Sequence, residues 1–322
     1  MKTRSICAVK GVTASGMKEG KYGLALIRAS GTAAGVFTEN LAKAAPIQLM
    51  RTQIRKGRLD AVIVNSGCAN AYTGQKGYED AVVMTEYASS ALGVEPARVG
   101  VASTGVIGRY LDLPLIRKQC VTVAPKLASN AEAETNAANA IMTTDTYPKH
   151  ALVEKETFTI AGITKGSGMI APNMGTMLAF IYTDAEIEAK PLKDALKLAT
   201  KRSFNRVVVD GDTSTNDIAL VTATGESGKV NETEFSAALE ECCRLLAKQI
   251  AADGEGATKL LEVTVTGAKK ETDAAKVART IIESPLVKTA VYGEDPNWGR
   301  VVAAAGRARV KFDPNAVSLW IS

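Results

Sequence analysis

The stretch from Lys165 to Leu178 reads Lys-Gly-Ser-Gly-Met-Ile-Ala-Pro-Asn-Met-Gly-Thr-Met-Leu. A lysine beside two glycines can cradle an anion, but the four-residue gap and the Gly-Lys-Ser/Thr ending of a phosphate loop are both missing. The Gly175–Thr176 bond offers different chemistry. Were it cut, Thr176 would carry a hydroxyl and a free α-amine on one residue. An α-amine titrates close to neutral pH, so its unprotonated fraction can take the proton of its own hydroxyl. An ordinary glycine turn feeding a strand accounts for the same residues.

The sequence contains a single histidine, His150. A histidine-rich metal site is excluded, and any Ser-His-Asp or Cys-His catalyst must pass through that residue. It follows Tyr147-Pro148-Lys149 in an expected loop, so a base of another kind is expected. Ser103-Thr104-Gly105 follows a strand-like run, where a hydroxyl and a glycine N–H could face a developing oxyanion; such turns after strands are also common. Asp210-Gly211-Asp212-Thr213-Ser214-Thr215-Asn216-Asp217 could gather Mg²⁺ or close on itself as an Asx turn. Its Asp-x-Asp pattern is similar to the loop of haloacid-dehalogenase-type phosphatases. Asp253-Gly254-Glu255-Gly256 follows a long helical run and sets Glu255 between two glycines. Asn65-Ser66-Gly67-Cys68 and Asp295-Pro296-Asn297 read as a polar turn and a helix start.

The elements that must hold these stretches alternate in type. Strands are expected at 22–27, 61–65, 99–102, 157–163, 177–182, 206–209, 218–222, 261–266 and 286–291. Helices are expected at 78–92, 113–127, 132–142, 192–203, 232–252, 274–283 and 298–307, with Asn231 and Glu234 forming the start signal of the fifth. The alternation predicts an α/β fold. No repeat and no Pro/Gly-rich linker divides the chain. Residues 316–322 alternate apolar and polar like a half-buried strand.

Composition narrows the classes. The 322 residues are 46% hydrophobic and 23% charged, which fits a globular chain and argues against disorder. A net charge of +5 without a basic stripe gives no reason to expect nucleic acid as a partner. No apolar run approaches the ~18 residues that cross a bilayer, so no membrane partner is expected. Five cysteines without a paired framework fit a reducing, cytoplasmic setting.

Taken together and in this order, the stretches resemble the glutamate N-acetyltransferase family of arginine biosynthesis, also called ornithine acetyltransferase. The resemblance runs from Ala33-Ala34-Gly35-Val36-Phe37-Thr38 through the turns at Asn65 and Thr104, Met142-Thr143-Thr144-Asp145-Thr146, and the Lys165–Leu178 stretch. It continues through Ser203-Phe204-Asn205-Arg206, the loops at Asp210 and Asp253, Ser284-Pro285-Leu286 and the Asp295 turn. It implies a layered α/β sandwich of the N-terminal-nucleophile-like type. It also implies a precursor that cuts itself between Gly175 and Thr176, leaving chains 1–175 and 176–322 that build one catalytic unit. Thr176 becomes the nucleophile, Thr104 and Gly105 the oxyanion hole, and Thr143, Lys165 and Glu255 bind the amino-acid substrate. The reaction implied is ping-pong transfer of acetyl from N-acetylornithine to glutamate through an acetyl-Thr176 ester, without metal or other cofactor. Acetyl-CoA is the co-substrate of bifunctional members, and two alpha and two beta chains form a heterotetramer.

Two features depart from the family pattern. Gly175 stands where many members have alanine. The family also continues beyond Ser322 with an Ala-Trp-Gly-Cys-Asp-Leu-Thr-like stretch and a substrate-binding Asn and Thr, so a C-terminally truncated chain is expected. Competing readings are a Mg²⁺-dependent phosphatase centred on Asp210 and Asp212, a non-catalytic amino-acid-binding remnant, and an N-terminal-nucleophile aminopeptidase. The oxyanion assignment predicts that Thr104→Ala lowers kcat for acetyl transfer roughly 100-fold or more, by comparison with other acyl-transfer enzymes. A steady-state loss under about threefold would remove Thr104 from that role.

Overall fold

The computed structural model describes residues 5–171 and 177–321. Two compact units divide the chain after Glu255.

Runs of apolar and β-branched residues build eight strands in the first unit. They are β1 (Thr13–Glu19), β2 (Tyr22–Phe37), β3 (Arg58–Cys68), β4 (Val99–Val106), β5 (Lys149–Glu154), β6 (Thr159–Lys165), β7 (Leu178–Thr183) and β8 (Ile218–Ala223). Their order is β4-β3-β2-β8-β7-β6-β5, with β1 also paired to β2. The pairs β3/β4 and β7/β8 are parallel and the others antiparallel.

β2 serves two groups of strands. Gly23–Arg28 pairs with β3, and Thr32–Phe37 pairs with β8, with a register break between Arg28 and Gly31. Gly31 sits where the backbones crowd: a Cβ there would lie 1.9 Å from the Ala223 carbonyl oxygen. The irregularity bends the strand and lets the two groups share one core. Leu178, Phe180 and Tyr182 of β7 and Ile218 and Leu220 of β8 meet Leu24, Leu26 and Ile63 there. Side chains alternate along a strand, so Ala179, Ile181, Ala219 and Val221 face a second core. Helices α5 (Ala189–Arg202) and α6 (Glu232–Ala252) cover it with Leu192, Leu196, Phe235, Leu239 and Leu246. Burial on both faces explains why β7 and β8 read as unbroken apolar runs.

The first core is completed by α1 (Ala45–Gln53), α2 (Gly74–Leu92), α3 (Leu113–Val123) and α4 (Ala131–Ile141), through Met50, Met84, Ile116 and Ala137. The result is a mixed α/β sandwich. All five cysteines are buried free thiols, and no helix among the described residues is long and apolar enough to cross a membrane.

The second unit contains α7 (Glu271–Ile282), α8 (Pro285–Tyr292) and α9 (Trp298–Gly306) around Ile281, Val287 and Ala304.

Several expected elements differ. Residues 286–291 are helical, because the Ser284 side chain caps the Val287 N–H and Pro285 opens the first turn; a short apolar run alone does not distinguish the two states. Residues 261–266 form no strand, and 206–209 form no strand because Val209 binds the Ile170 carbonyl from a loop. Residues 317–321 carry no strand. His150 lies on β5 instead of in a loop. β1, β5 and α1 were not expected.

Gly31→Ala is expected to lower unfolding free energy by about 1–3 kcal/mol or more, as overpacking does. A urea midpoint equal to that of the unchanged protein would mean that the bend tolerates a side chain.

Candidate active site

β6 and β7 are hydrogen-bonded neighbours, with Lys165 opposite Leu178. The connection between them carries every candidate in the Lys165–Leu178 stretch. Gly175 and Thr176 lie outside the described residues. Around them, Met177 is held at both backbone groups: its N–H donates to Asp217 Oδ1 at 3.0 Å, and its carbonyl accepts the Ile218 N–H at 3.1 Å.

Lys165 is 2% exposed, and among the described residues the single ion contact of its Nζ is Asp145 Oδ2, 3.9 Å away. Asp145 is much more heavily engaged. It accepts Lys149 Nζ at 2.7 Å, the Gly166 N–H at 2.6 Å and the Thr143 N–H at 3.0 Å. Lys149, itself fully buried, bridges onward to Asp253 Oδ2 at 2.5 Å. Asp253 also accepts the Thr146 N–H at 3.0 Å and the Thr146 hydroxyl. Its backbone carbonyl takes the Ser167 hydroxyl at 2.6 Å. Two residues on, the Glu255 N–H donates to the Ser167 carbonyl at 3.1 Å. The exposed Glu255 carboxylate lies against Gly168, where a Cβ would come within 2.5 Å of it. Thr143, Lys165 and Glu255 are thus brought to one cluster of loops.

The charges in this cluster are unevenly satisfied. Burial would push the Asp145 carboxyl up, but the Lys165 and Lys149 ammonium groups and the Lys149 and Gly166 hydrogen bonds outweigh it, holding the carboxyl below its usual range. Burial draws Lys165 down, against the pull of Asp145, Asp217 and Glu255. Burial also pushes Asp217 well above the usual carboxylate range, in spite of the Met177 amide. Asp217 Oδ2 makes no hydrogen bond among the described residues.

Thr104 and Gly105 lie at the end of β4, with Thr104 2% exposed. Gly105 has φ +129°, and a Cβ would come within 2.4 Å of the Gly67 carbonyl carbon on β3. This position therefore requires glycine. The strand end is tied to the loop that holds Met177: Asn216 Nδ2 donates to the Ser103 carbonyl at 2.8 Å and to the Ala69 carbonyl at 2.7 Å.

The phosphatase reading placed Asp210 and Asp212 on a metal. Asp210 instead accepts the N–H groups of Met169 at 2.5 Å, Ile170 at 3.0 Å and Asp212 at 3.0 Å, and Asp212 is exposed. Among the described residues no three His, Cys, Asp or Glu side chains are placed to hold a metal ion. These bonds fit the self-closing turn. His150 Nδ1 lies 2.9 Å from the Ser5 hydroxyl, and the His150 N–H donates to Gln249 Oε1.

Sequence reasoning missed Asp145, Lys149, Asn216 and Asp217 as parts of the site, and Asp253 as more than a loop residue. Asp145 and Asp217 stand inside quoted stretches, but their burial has no local signature.

A family model described as the ArgJ family matches residues 9–322. The chain belongs to the ArgJ family. Its similarity to the glutamate N-acetyltransferase of Methanosarcina mazei is 53% identity, over 98% of this chain and 82% of that one. Similarity to the arginine biosynthesis bifunctional protein ArgJ of Archaeoglobus fulgidus is 49% identity, over 96% and 80%. A crystal structure of ornithine acetyltransferase from Mycobacterium tuberculosis, complexed with ornithine, superposes with a TM-score of 0.51 at 35% identity, covering 53% of this chain and 96% of that one. ArgJ membership agrees with the α/β sandwich and with the family resemblance of the sequence.

In this ArgJ site, removing the Asp145 charge takes away the ion contact of buried Lys165 and leaves buried Lys149 with Asp253 alone. Asp145→Asn is expected to cost about 3–5 kcal/mol at pH 7, the usual loss when one partner of a buried pair is removed. Because the Asp145 carboxyl is held below its unfolded value, its contribution is present above about pH 4 and is lost as pH falls through the folded value. The stability gap between the two proteins, measured by urea unfolding, should therefore close in acid. A gap that is small at pH 7 or unchanged at pH 3 contradicts this account.

Proposed function

We propose that this chain is a self-cleaving acetyltransferase of arginine biosynthesis that moves acetyl from N2-acetylornithine to glutamate. Cleavage at Gly175–Thr176 makes chains 1–175 and 176–322 and frees the Thr176 α-amine. That amine takes the hydroxyl proton, and the oxygen attacks the acetyl carbonyl. The Thr104 hydroxyl and Gly105 N–H receive the oxyanion. The amide C–N bond breaks, the nitrogen leaves protonated as ornithine, and acetyl stays on Thr176 as an ester. The amino group of glutamate then attacks the ester, releasing N-acetylglutamate and restoring the hydroxyl.

The observation that carries this reading is the buried Lys165 ammonium. Lys165 ends β6, with Asp145, its single ion partner among the described residues, 3.9 Å away. A buried ammonium is costly unless an anion meets it, and the α-carboxylate common to N-acetylornithine and glutamate supplies one. Glu255, exposed at the rim, suits the side-chain ammonium of ornithine. Thr143, its N–H tied to Asp145, lines the same cluster. The names of the relatives support the same substrates. We assign acetyl-CoA as a second donor to the same threonine, two alpha and two beta chains to the assembled enzyme, and the cytoplasm as its setting.

Intact-protein mass spectrometry of the unchanged protein and of Thr176→Ala tests the reading. The 33.8 kDa chain, scaled by 175/322 and 147/322, should give pieces of roughly 18 and 15 kDa, whereas the variant should stay whole. Acetyl transfer from N-acetylornithine to glutamate should follow cleavage. A full-length unchanged protein, or a cleaved one making no N-acetylglutamate, overturns it.

A further inference from the structure

Two adjacent side chains outside the assigned machinery connect its two halves. Asn216 grips the carbonyls of Ser103 and Ala69, beside the ends of β4 and β3. Asp217 grips the amide of Met177, the residue that follows Thr176. Strands β4 and β7 are not neighbours: β3, β2 and β8 separate them in the sheet order. No ladder joins them directly, so the Asn216 and Asp217 side chains add a link between their ends beside the sheet's own hydrogen bonds. Both side chains are buried, Asn216 at 4% and Asp217 at 0% exposure, and the backbone between them is fixed. Thr38 N–H donates to the Asp217 carbonyl at 3.1 Å, and Asn216 N–H donates to the Ser214 hydroxyl at 3.0 Å.

We infer that Asn216 and Asp217 form a positioning clamp that sets Met177, at the entry to β7, against the Thr104–Gly105 end of β4. The inference rests on the acetyltransferase reading for its effect on rate, but not for the clamp itself. Neither residue touches a substrate in this account. Each acts through backbone: Asn216 through the carbonyl next to Thr104, and Asp217 through the amide next to Thr176. An acyl-transfer nucleophile and its oxyanion donors must agree closely in position, and about 1 Å of misplacement costs on the order of 100-fold in rate. One rigid dipeptide gripping both sides meets that requirement. Asp217 serves as an acceptor here, so its role calls for the carbonyl-type oxygen and not for the charge.

The test uses the full chain and four variants: Asn216→Ala, Asn216→Asp, Asp217→Ala and Asp217→Asn. Asn216→Ala and Asp217→Ala should lower kcat for acetyl transfer about 10- to 100-fold per cleaved molecule, with KM for N-acetylornithine held within about threefold. Asp217→Asn keeps the acceptor and should restore kcat to within about fivefold of the unchanged protein. Asn216→Asp loses the donor and should not restore it. Amide hydrogen exchange supplies the readout that does not need activity. Asn216→Ala should speed exchange at Met177 and Leu178, and Asp217→Asn should leave it slow. If the unchanged protein neither cleaves nor transfers acetyl, the acetyltransferase reading fails and exchange alone decides the clamp. Exchange at Met177 that ignores Asn216→Ala overturns the clamp whatever the activity. So does a loss confined to KM, or an Asp217→Asn as slow as Asp217→Ala.

Discussion

Lys149 has no route to solvent and lies between two carboxylates, Asp145 and Asp253. Much of the candidate site depends on that ion triplet. Asp145 belongs to the segment entering β5, Lys149 to β5 itself, and Asp253 to the loop after α6, so one ammonium fixes three separate pieces of chain. Asp145 then reaches the Gly166 amide, and the Asp253 carbonyl reaches the Ser167 hydroxyl, so the loop after β6 is fixed by the same group. A buried pair of this kind contributes little net stability compared with well-packed apolar side chains. Its consequence here is geometric: the arrangement is satisfied in one register and leaves unpaired charge in any other.

The triplet also explains why Lys165 remains available. Lys149 takes the direct hydrogen bonds of Asp145, so Lys165 feels that carboxylate at 3.9 Å without being bound to it. Burial and the neighbouring Lys149 ammonium draw Lys165 down, against the pull of Asp145, Asp217 and Glu255.

Much of the strand and helix framework could be read directly from the sequence, and the reasons are local. β7 and β8 are apolar on both faces, α6 carries an Asn231 cap, and α2 has a long amphipathic period. The errors arose where tertiary context chose the state. The 286–291 run is equally apolar as a strand or a helix, and its cap and proline decided for the helix. β5 begins at Lys149-His150, which follows a proline and suggests a loop, and β1 carries no strand signal, but their neighbours β2 and β6 supply ladders that the local composition does not announce. The candidate site divides in the same way. Thr143, Lys165 and Glu255 are expected from a resemblance of motifs, and the structure places them in one cluster of loops. Asp145 and Lys149 are four residues apart, but the third member, Asp253, meets Lys149 across 104 residues of chain, and that contact has no trace in the sequence.

The bend in β2 connects these local facts to the architecture. An unbent strand of sixteen residues would carry β3 and β4 away from β8 and β7. The register break at Arg28–Gly31 lies where β2 passes from pairing with β3 to pairing with β8, and Asn216, just before β8, reaches the Ser103 carbonyl of β4. The contact at Gly31 is made of backbone on both sides, so no rotamer change can relieve it. A site assembled across the core of a sandwich is set by that core's thickness, which close packing fixes to within a fraction of a side chain. Loops on one sheet edge would not have this constraint. The precision that acyl transfer requires is therefore supplied by the apolar interior, and the polar groups at its rim need only choose the register.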